Sequence, residues 1–173
     1  MQGNEPIYIE SFDATRHDRS GFTRGVGKAD NFLKLTSNKL SKAGHVRLFV
    51  ATDDGVLIAG FYALNAHSIS YHELPPAFTR DRPSSGFIPS AYIAMIAVAT
   101  ARQGKGLGRM LLVDALKRVA DASRNVGMSI TMLDILDDGD DKAIAARQRL
   151  YGSFGFRCFE ANQLRMWAPT IDK

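Results

Sequence analysis

Alternate glycines flank a lysine in the segment Gln103-Gly104-Lys105-Gly106-Leu107-Gly108, which follows the apolar run Ala91–Ala99. Because glycine has no Cβ, successive backbone N–H groups of such a segment can point into one cavity. From Leu107 the apolar residues take helical spacing, and the N-terminus of a helix attracts negative charge. The spacing therefore predicts a strand-to-helix loop that binds phosphate or pyrophosphate. A glycine-rich turn that binds no ligand is the alternative.

Spacing excludes two other glycine loops that bind phosphate. A Walker A loop has serine or threonine after Gly-Lys to hold magnesium, whereas Gly106 follows Lys105 here. A dinucleotide-binding loop has its third glycine three residues after the second, but Arg109 stands there, and no βαβ repeat opens the chain. The remaining pattern, Gln-x-x-Gly-x-Gly between a strand and a helix, resembles the acetyl-CoA pyrophosphate loop of the GNAT N-acetyltransferase superfamily.

This resemblance implies acetyl-CoA as the cosubstrate, without a metal, and assigns residues to it. The loop contacts would come from Gln103, Gly104, Lys105, Gly106, Leu107, Gly108 and Arg109. Ile96-Ala97-Val98 precedes the loop, where GNAT proteins splay two strands and let the backbone of one strand bind the pantetheine arm. Backbone groups of Ile96 and Val98 take that role by resemblance, whereas their side chains would belong to the core.

Tyr151 is the candidate catalytic residue. It begins the sequence Tyr-x-x-Phe-Gly-Phe, which resembles the end of the last helix of the superfamily, where a tyrosine faces the CoA sulfur. Because a free tyrosine has a pKa of about 10, it is protonated at neutral pH and can donate a proton to a departing thiolate. The alternative is an aromatic side chain that only packs against the final strands.

A basic segment extends from Arg16 to Arg47, where the chain has eight Lys or Arg and two acidic residues. The whole chain has a net charge of only +4. Such a segment can bind a polyanion backbone by electrostatics alone, or can be an ordinary solvated helix face.

The amino-terminal half narrows the resemblance. The segment Phe22–Leu33 is similar to the Phe-x-Cys-Gly-x-x-x-Leu-Asp-x-Phe-Leu opening of GNAT toxins from bacterial type II toxin–antitoxin modules, and Gly60–Ala66 is similar to their Gly-Tyr-Tyr-x-Leu strand. Arg24 replaces the cysteine of that opening, Ala29 replaces its leucine, and Met95 stands where arginine is common.

Toxins of this kind acetylate the α-amino group of aminoacyl-tRNA and so stop translation, and their partner is a small DNA-binding antitoxin. The candidates to bind tRNA phosphates are Arg24, Lys28, Lys34 and Lys42. An α-amine has a pKa of about 7.7–8.0 and is partly neutral at cytoplasmic pH, whereas a lysine amine, at about 10.4, would require a dedicated base. The sequence shows no obvious buried Glu or His base beside the loop, which disfavours a lysine acetyltransferase. His67, Glu73 or a chain of waters is the alternative source of a base.

Two other functions are compatible with the sequence. One is a GNAT enzyme that acetylates a small amine or a protein amino terminus and requires no RNA. The other is a catalytically silent module that binds CoA or regulates as an antitoxin does, and the presence of Tyr151 argues against it.

Length and composition favour one domain, residues 1–173, because 45% of the 173 residues are hydrophobic. The amino terminus has no signal-peptide pattern, and no apolar run approaches the roughly 18 residues of a membrane span. A cytoplasmic protein without membrane contact is expected, with a homodimer as an expected assembly. The lone Cys158 excludes an intramolecular disulfide and is expected in the core or in a strand.

Periodicity and turn residues give the expected elements. In chain order they are a strand at Pro6–Phe12, a helix at Asp30–Lys42, strands at His45–Thr52 and Val56–Ala66, a short strand at Ser68–His72, a mobile loop at Phe78–Gly86, a strand at Ile88–Val98, a helix at Leu107–Ser123, a strand at Ser129–Leu136, a short helix from Lys142 to Ser153 and a strand pair within Gly155–Trp167. This order matches the GNAT fold, an α/β (α+β) fold whose mixed, mostly antiparallel central sheet is splayed at the cofactor site and flanked by helices.

Apolar spacing also predicts which faces are buried. The segment Asp30–Lys42 is expected to be a surface helix with Phe32, Leu33, Thr36 and Leu40 on one face and Lys34, Asn38 and Lys42 on another. In Leu107–Ser123 the core face carries Leu107, Met110, Leu111, Ala115, Leu116, Val119 and Ala120. The strand Ile88–Val98 is apolar enough to be buried on both faces. The acidic run Asp137–Asp141 is expected to form a turn and cap the next helix rather than to bind a metal.

Overall fold

The structure is a computed structural model in which residues 5–170 are described. Within this range the chain forms seven β-strands, four α-helices and one π-helical turn. The strands are β1 Tyr8–Ser11, β2 Arg47–Thr52, β3 Gly60–Ser70, β4 Phe87–Val98, β5 Ile130–Asp134, β6 Arg157–Cys158 and β7 Arg165–Pro169. The helices are α1 Gly27–Asn31, α2 Ser37–Lys42, α3 Leu107–Ser123 and α4 Asp141–Gly152, and the π-helical turn Phe32–Thr36 lies between α1 and α2.

The seven strands form one mixed sheet in the order β1-β2-β3-β4-β5-β7-β6. Strand β2 is antiparallel to β1 and β3, and β7 is antiparallel to β5 and β6, whereas β4 and β5 are parallel. The parallel pairing runs from Ser90 opposite Ile130 to Ile93 opposite Leu133, and β4 continues to Val98. The predicted mixed, mostly antiparallel sheet is confirmed, and the end of this pairing at Ile93 agrees with the predicted splay.

The described chain divides into two compact units. Unit 1 contains the residues up to Leu64 together with Met95–Ala115, and unit 2 contains Asn65–Ala94 together with the residues from Leu116 onward. The buried side chains of unit 1 include Leu33, Val50, Phe61, Leu111 and Leu112. A buried cluster in unit 2 consists of Ile69, Leu74, Ile88, Ile130, Met132, Phe159 and Trp167. Each unit therefore has an apolar core of its own.

A π-helical turn, Phe32–Thr36, interrupts the region where periodicity predicts one continuous helix. A π-helical turn has i→i+5 hydrogen bonds and holds one residue more than an α-helical turn. The extra residue shifts the buried face by one position, so Ser37 is fully buried and Thr36 is exposed. The Ser37 hydroxyl donates to the Leu33 carbonyl at 2.7 Å. Thr36, which helical spacing places on one face with the buried Leu33, is therefore exposed instead.

The turn between β2 and β3 is longer than the sequence predicts. Asp54 Oδ1 accepts hydrogen bonds at 2.8 Å from the backbone N–H groups of Val56 and Leu57, and these bonds lower the pKa of the Asp54 carboxyl. They keep both residues in the turn, so β3 begins at Gly60 rather than at Val56. The short strand expected at Ser68–His72 is the end of β3 followed by a 3₁₀ turn at Tyr71–Glu73.

The glycine segment lies between strand β4 and helix α3 in the sequence. Helix α3 has the predicted bounds, but Met110 is 44% exposed, and Leu112 is buried although it was absent from the predicted face. From Ala91 to Val98, β4 alternates between buried and half-buried residues, so the expectation that both faces are buried is wrong. This alternation is typical of a strand with one fully covered face.

The acidic turn caps α4, as predicted. Asp140 Oδ1 accepts hydrogen bonds from the backbone N–H groups of Lys142 at 3.0 Å and Ala143 at 3.3 Å. Cys158 lies half-buried in β6. Within residues 5–170, no group of three or more His, Cys, Asp or Glu side chains is placed to hold a metal ion. No helix in the same range is both long enough and apolar enough to span a membrane.

Candidate active site

The glycine segment of unit 1 forms a strand-to-helix loop, as the sequence predicts. Strand β4 ends at Val98, a 3₁₀ turn follows at Thr100–Arg102, and α3 begins at Leu107. Gly104 and Gly106 have φ angles of +75° and +82°, a region that strains residues with a Cβ. A Cβ built on either glycine would have no other heavy atom within 4 Å. The loop backbone therefore faces open space at both glycines.

The first turn of α3 provides donors for an anion. The Met110 N–H donates to the Gly106 carbonyl at 3.1 Å, the first hydrogen bond of the helix. The N–H groups of Leu107 and Gly108 precede it, and such groups have no acceptor within the helix. Together with the positive end of the helix dipole, they form a cradle that fits a pyrophosphate.

Contacts within unit 1 fix the two ends of this loop. Gln103 Nε2 donates to the Val98 carbonyl at 3.2 Å, which closes the loop onto the end of β4. Arg102 Nη2 forms an ion pair with Asp53 Oδ2 at 2.7 Å, so the turn after β2 supports the start of the loop. Gln103 was a predicted cofactor contact, and its side chain here shapes the loop. The Arg102–Asp53 pair has no signal in the sequence, because the two residues are far apart in the chain.

Unit 1 also requires a glycine at position 60, and the spacing of glycines in the sequence does not reveal this requirement. A Cβ on Gly60 would lie 2.9 Å from Leu111 Cδ1 and 3.1 Å from the Ala97 carbonyl oxygen. Both distances are too short for a side chain to fit without displacement. The absence of a side chain at Gly60 therefore allows β3 to lie close to Ala97, which the sequence places in the pantetheine-binding segment.

The segment that carries Arg24 lies against the start of the same loop. The backbone N–H and the hydroxyl of Thr100 both donate to the Thr23 carbonyl, at 2.8 and 3.1 Å. Asp30 accepts hydrogen bonds from the Arg24 backbone N–H at 2.7 Å and from the Thr23 hydroxyl at 3.2 Å. Unit 1 thus brings one predicted tRNA-binding residue next to the predicted cofactor loop.

Two arginines of the basic segment have structural partners. Arg16 forms a bidentate pair with Glu10, at 2.7 and 3.0 Å, and this pair is the main reason that the pKa of Glu10 is lowered. Arg19 donates to the backbone carbonyls of Leu33 and Lys34 at the π-helical turn. Of the candidate lysines, Lys28 and Lys42 are exposed and Lys34 is half-buried.

Tyr151 lies in unit 2, in the last turn of α4, and its side chain is buried. Its carbonyl accepts hydrogen bonds from the backbone N–H groups of Phe154 at 3.0 Å and Phe156 at 3.2 Å. Gly155 has a φ of +90°, which favours glycine, and the Phe156 ring meets the Tyr151 ring edge-on. The Tyr-x-x-Phe-Gly-Phe pattern therefore ends the helix and packs the tyrosine ring.

Residues 44–158 match the family model of the Acetyltransferase (GNAT) domain. The chain belongs to this family. The matched part of this GNAT protein contains the glycine loop, the backbone segment Ile96–Val98 and Tyr151.

Two relatives and one solved structure are similar to this GNAT protein over most of its length. A probable toxin TacT from Sinorhizobium fredii is 46% identical over 162 residues, which cover 93% of this chain and 90% of the relative. A tRNA-acetylating toxin from Mycobacterium tuberculosis is 31% identical over 121 residues, 70% of this chain and 71% of the relative. A structure of AtaT complexed with acetyl-methionyl-tRNAfMet superposes with a TM-score of 0.82 at 22% identity, covering 95% of each chain. The structural likeness confirms the predicted fold.

Proposed function

We propose that this protein is an acetyl-CoA-dependent N-acetyltransferase that acts as a toxin by acetylating the α-amino group of aminoacyl-tRNA. The observation that carries the proposal is the open glycine cradle at the start of α3, in a chain 46% identical to a probable toxin TacT. A second relative is named for tRNA acetylation.

The residues of the glycine loop fit the cosubstrate. Acetyl-CoA supplies an acetyl group activated as a thioester. The backbone N–H groups from Gly104 to Gly108 bind its pyrophosphate, and Lys105 and Arg109 add positive charge beside them. The backbone of Ile96-Ala97-Val98 orients the pantetheine arm, with hydrogen bonds from Ile96 and Val98. No protein side chain needs to become covalently acetylated for this role.

Tyr151 is assigned the proton-donating role. Its hydroxyl oxygen holds the proton that a leaving thiolate requires, and a phenol with an ordinary pKa of about 10 keeps that proton at neutral pH. Burial of the ring against Phe156 restricts where the hydroxyl can point. The acceptor attacks as the neutral α-amine, a fraction of which exists at cytoplasmic pH. The nitrogen loses one proton to solvent as the amide forms, and solvent returns a proton to Tyr151 after the thiol leaves.

The tRNA is held by positive charge. Arg24, Lys28, Lys34 and Lys42 are assigned to its phosphates, and the fixed position of the Arg24 segment against Thr100 supports this assignment. Phosphate contacts of this kind give affinity without sequence selectivity. They place the acceptor end near the enzyme and leave the choice of amino acid to other residues.

The toxin role implies further properties of the protein. We propose that residues 1–173 form one catalytic domain that acts in the cytoplasm, where its substrate occurs, and that it assembles as a homodimer. We further propose a small DNA-binding antitoxin as the partner that blocks the active site until it is removed.

Cell-free translation tests this function. Addition of the protein with acetyl-CoA should stop synthesis of a reporter, and omission of acetyl-CoA or use of the Tyr151→Phe variant should restore it. Full inhibition without acetyl-CoA would contradict the proposal, because a non-catalytic RNA binder would produce it. A protein that acetylates only small amines would leave translation unaffected.

A further inference from the structure

Three flat side-chain groups lie close together in unit 2, on strands β3, β4 and β7. The centroids of the His67 and Tyr92 rings are 5.3 Å apart, and the ring planes are tilted by 34°. The guanidinium carbon of Arg165 lies 5.8 Å from the centroid of the Tyr92 ring. We call His67, Tyr92 and Arg165 the stacking platform.

Asp134 fixes two members of the stacking platform. Its carboxylate accepts hydrogen bonds from Arg165 Nε at 2.7 Å and Nη2 at 3.2 Å, and the Tyr92 hydroxyl also donates to it. Burial and this hydrogen bond raise the pKa of Tyr92 to about 12, so the hydroxyl remains a donor at neutral pH. Bidentate arginine–carboxylate pairs have a defined geometry. Tyr92 and Arg165 are therefore held in place in the absence of any ligand.

His67 is the exposed member of the stacking platform. Among the residues that the structure describes, neither ring nitrogen of His67 has a hydrogen-bond partner. The imidazole contacts the ring of Tyr92, so it contributes a flat surface rather than a hydrogen bond within the protein. Proteins stack unpaired bases on aromatic side chains, including histidine.

Resting on the proposed function, we propose that the stacking platform binds the base of the 3′-terminal adenosine that carries the amino acid of the acceptor. Every aminoacyl-tRNA ends in this unpaired adenosine, so one stacking contact serves any amino acid. Stacking needs no base-specific hydrogen bonds, because every base has a π-face. Tyr92 also precedes Ile96 by four residues in β4, and both are half-buried positions of that strand. The stacking platform thus shares a strand with the segment assigned to pantetheine.

Two small acceptors with the same α-amine test this inference. The first is adenosine with phenylalanine linked through an amide to its 3′ carbon, and the second is phenylalanine methyl ester, which has no base. His67→Ala should raise KM for the adenosine acceptor about tenfold, the range expected for loss of one base-stacking partner, and leave KM for the methyl ester unchanged. His67→Phe should restore the KM for the adenosine acceptor, because it keeps a ring and removes only the nitrogens. His45→Ala, at another exposed histidine, is the matched control and should change neither value.

The contrary outcomes separate this inference from the proposed function. An unchanged KM for the adenosine acceptor in His67→Ala, or an equal rise for both acceptors, would overturn the stacking role. His67→Ala and His67→Phe could instead lose kcat equally and both lose the acidic limb of the pH–rate profile. That result would show that His67 is a general base rather than a stacking surface. Failure of the wild-type protein to acetylate either acceptor and charged tRNA would contradict the proposed function itself.

Discussion

The backbone N–H of Thr100 donates to the carbonyl of Thr23 at 2.8 Å, although the two residues are far apart in the sequence. Thr100 opens the turn that leads into the glycine loop, and Thr23 precedes Arg24. Within unit 1, the segment assigned to tRNA phosphates is therefore fixed to the loop assigned to acetyl-CoA.

Charge reversal at Lys34 and Lys42 should weaken tRNA binding. Each phosphate contact that is lost reduces the number of counterions released, so log K should depend less steeply on log salt, by about one unit of slope per contact. Affinity for acetyl-CoA should stay unchanged. Filter binding across a salt series measures both quantities, and Lys117→Glu, at an exposed lysine of α3, is the control. Equal effects of Lys117→Glu would show that only net charge matters.

Gly106→Glu should abolish binding of acetyl-CoA. The new carboxylate would stand in the open space before the loop, where it would repel pyrophosphate. Gly139→Glu provides the control, because Gly139 also has a positive φ, of +75°, and open space around its Cβ position. Both variants should lose about 1–2 kcal/mol of stability from backbone strain. Calorimetry that finds wild-type affinity in a folded Gly106→Glu protein would refute the assignment of the loop.

Tyr151→Phe should lower the rate of acetyl transfer by about 10²–10⁴-fold, the usual effect of losing a general acid. The ring and its edge-on contact with Phe156 remain, so the melting temperature and the affinity for acetyl-CoA should change little. Tyr8→Phe, at an exposed tyrosine of β1, should have no effect on rate. If Tyr151→Phe transfers acetyl at the wild-type rate in a single-turnover experiment, the tyrosine only packs.

The Asp138–Arg147 pair should make the stability of the protein depend on pH in the acid range. The hydrogen bond from Arg147, with N and O atoms 2.6 Å apart, lowers the pKa of Asp138 from 3.8 to about 2. A carboxyl whose pKa falls on folding stabilises the protein above its unfolded pKa and loses this effect as pH falls through the folded value. Arg147→Met should therefore lower the melting temperature at pH 7, and its difference from wild type should shrink between about pH 4 and pH 2. A difference that stays constant over this range would show that the loss is due to packing.

Local patterns predict most of the elements that surround the glycine loop. The bounds of α3 and the cap of α4 follow from apolar spacing and from an aspartate at the helix start, which are both local signals. Leu112 is buried and Met110 is exposed. Which of the two is buried depends on the neighbours that cover the helix, so apolar spacing alone does not determine it. The π-helical turn is missed for a similar reason, because Ser37 and Arg19 satisfy the Leu33 carbonyl through contacts that no periodicity contains.

In the candidate site too, local features can be predicted from the sequence, whereas contacts between distant residues cannot. The glycines with positive φ are visible in the sequence, whereas the requirement for Gly60 depends on the distance to Ala97 and Leu111 across the fold. The Tyr92–Asp134–Arg165 network joins three strands that lie far apart in the chain. Such contacts become visible only when the sheet order places those strands in one sheet.

The position of the transferred acetyl group decides whether the acceptor is aminoacyl-tRNA or another amine. The protein is incubated with acetyl-CoA labelled in its acetyl group and with either charged or deacylated total tRNA, and the 3′-terminal fragments are analysed by mass spectrometry. An enzyme that acetylates aminoacyl-tRNA should place label on the α-nitrogen of the amino acid in charged tRNA and none on deacylated tRNA, and Tyr151→Phe should transfer little. Equal labelling of deacylated tRNA, or label found only on polyamines or proteins, would show that aminoacyl-tRNA is not the acceptor.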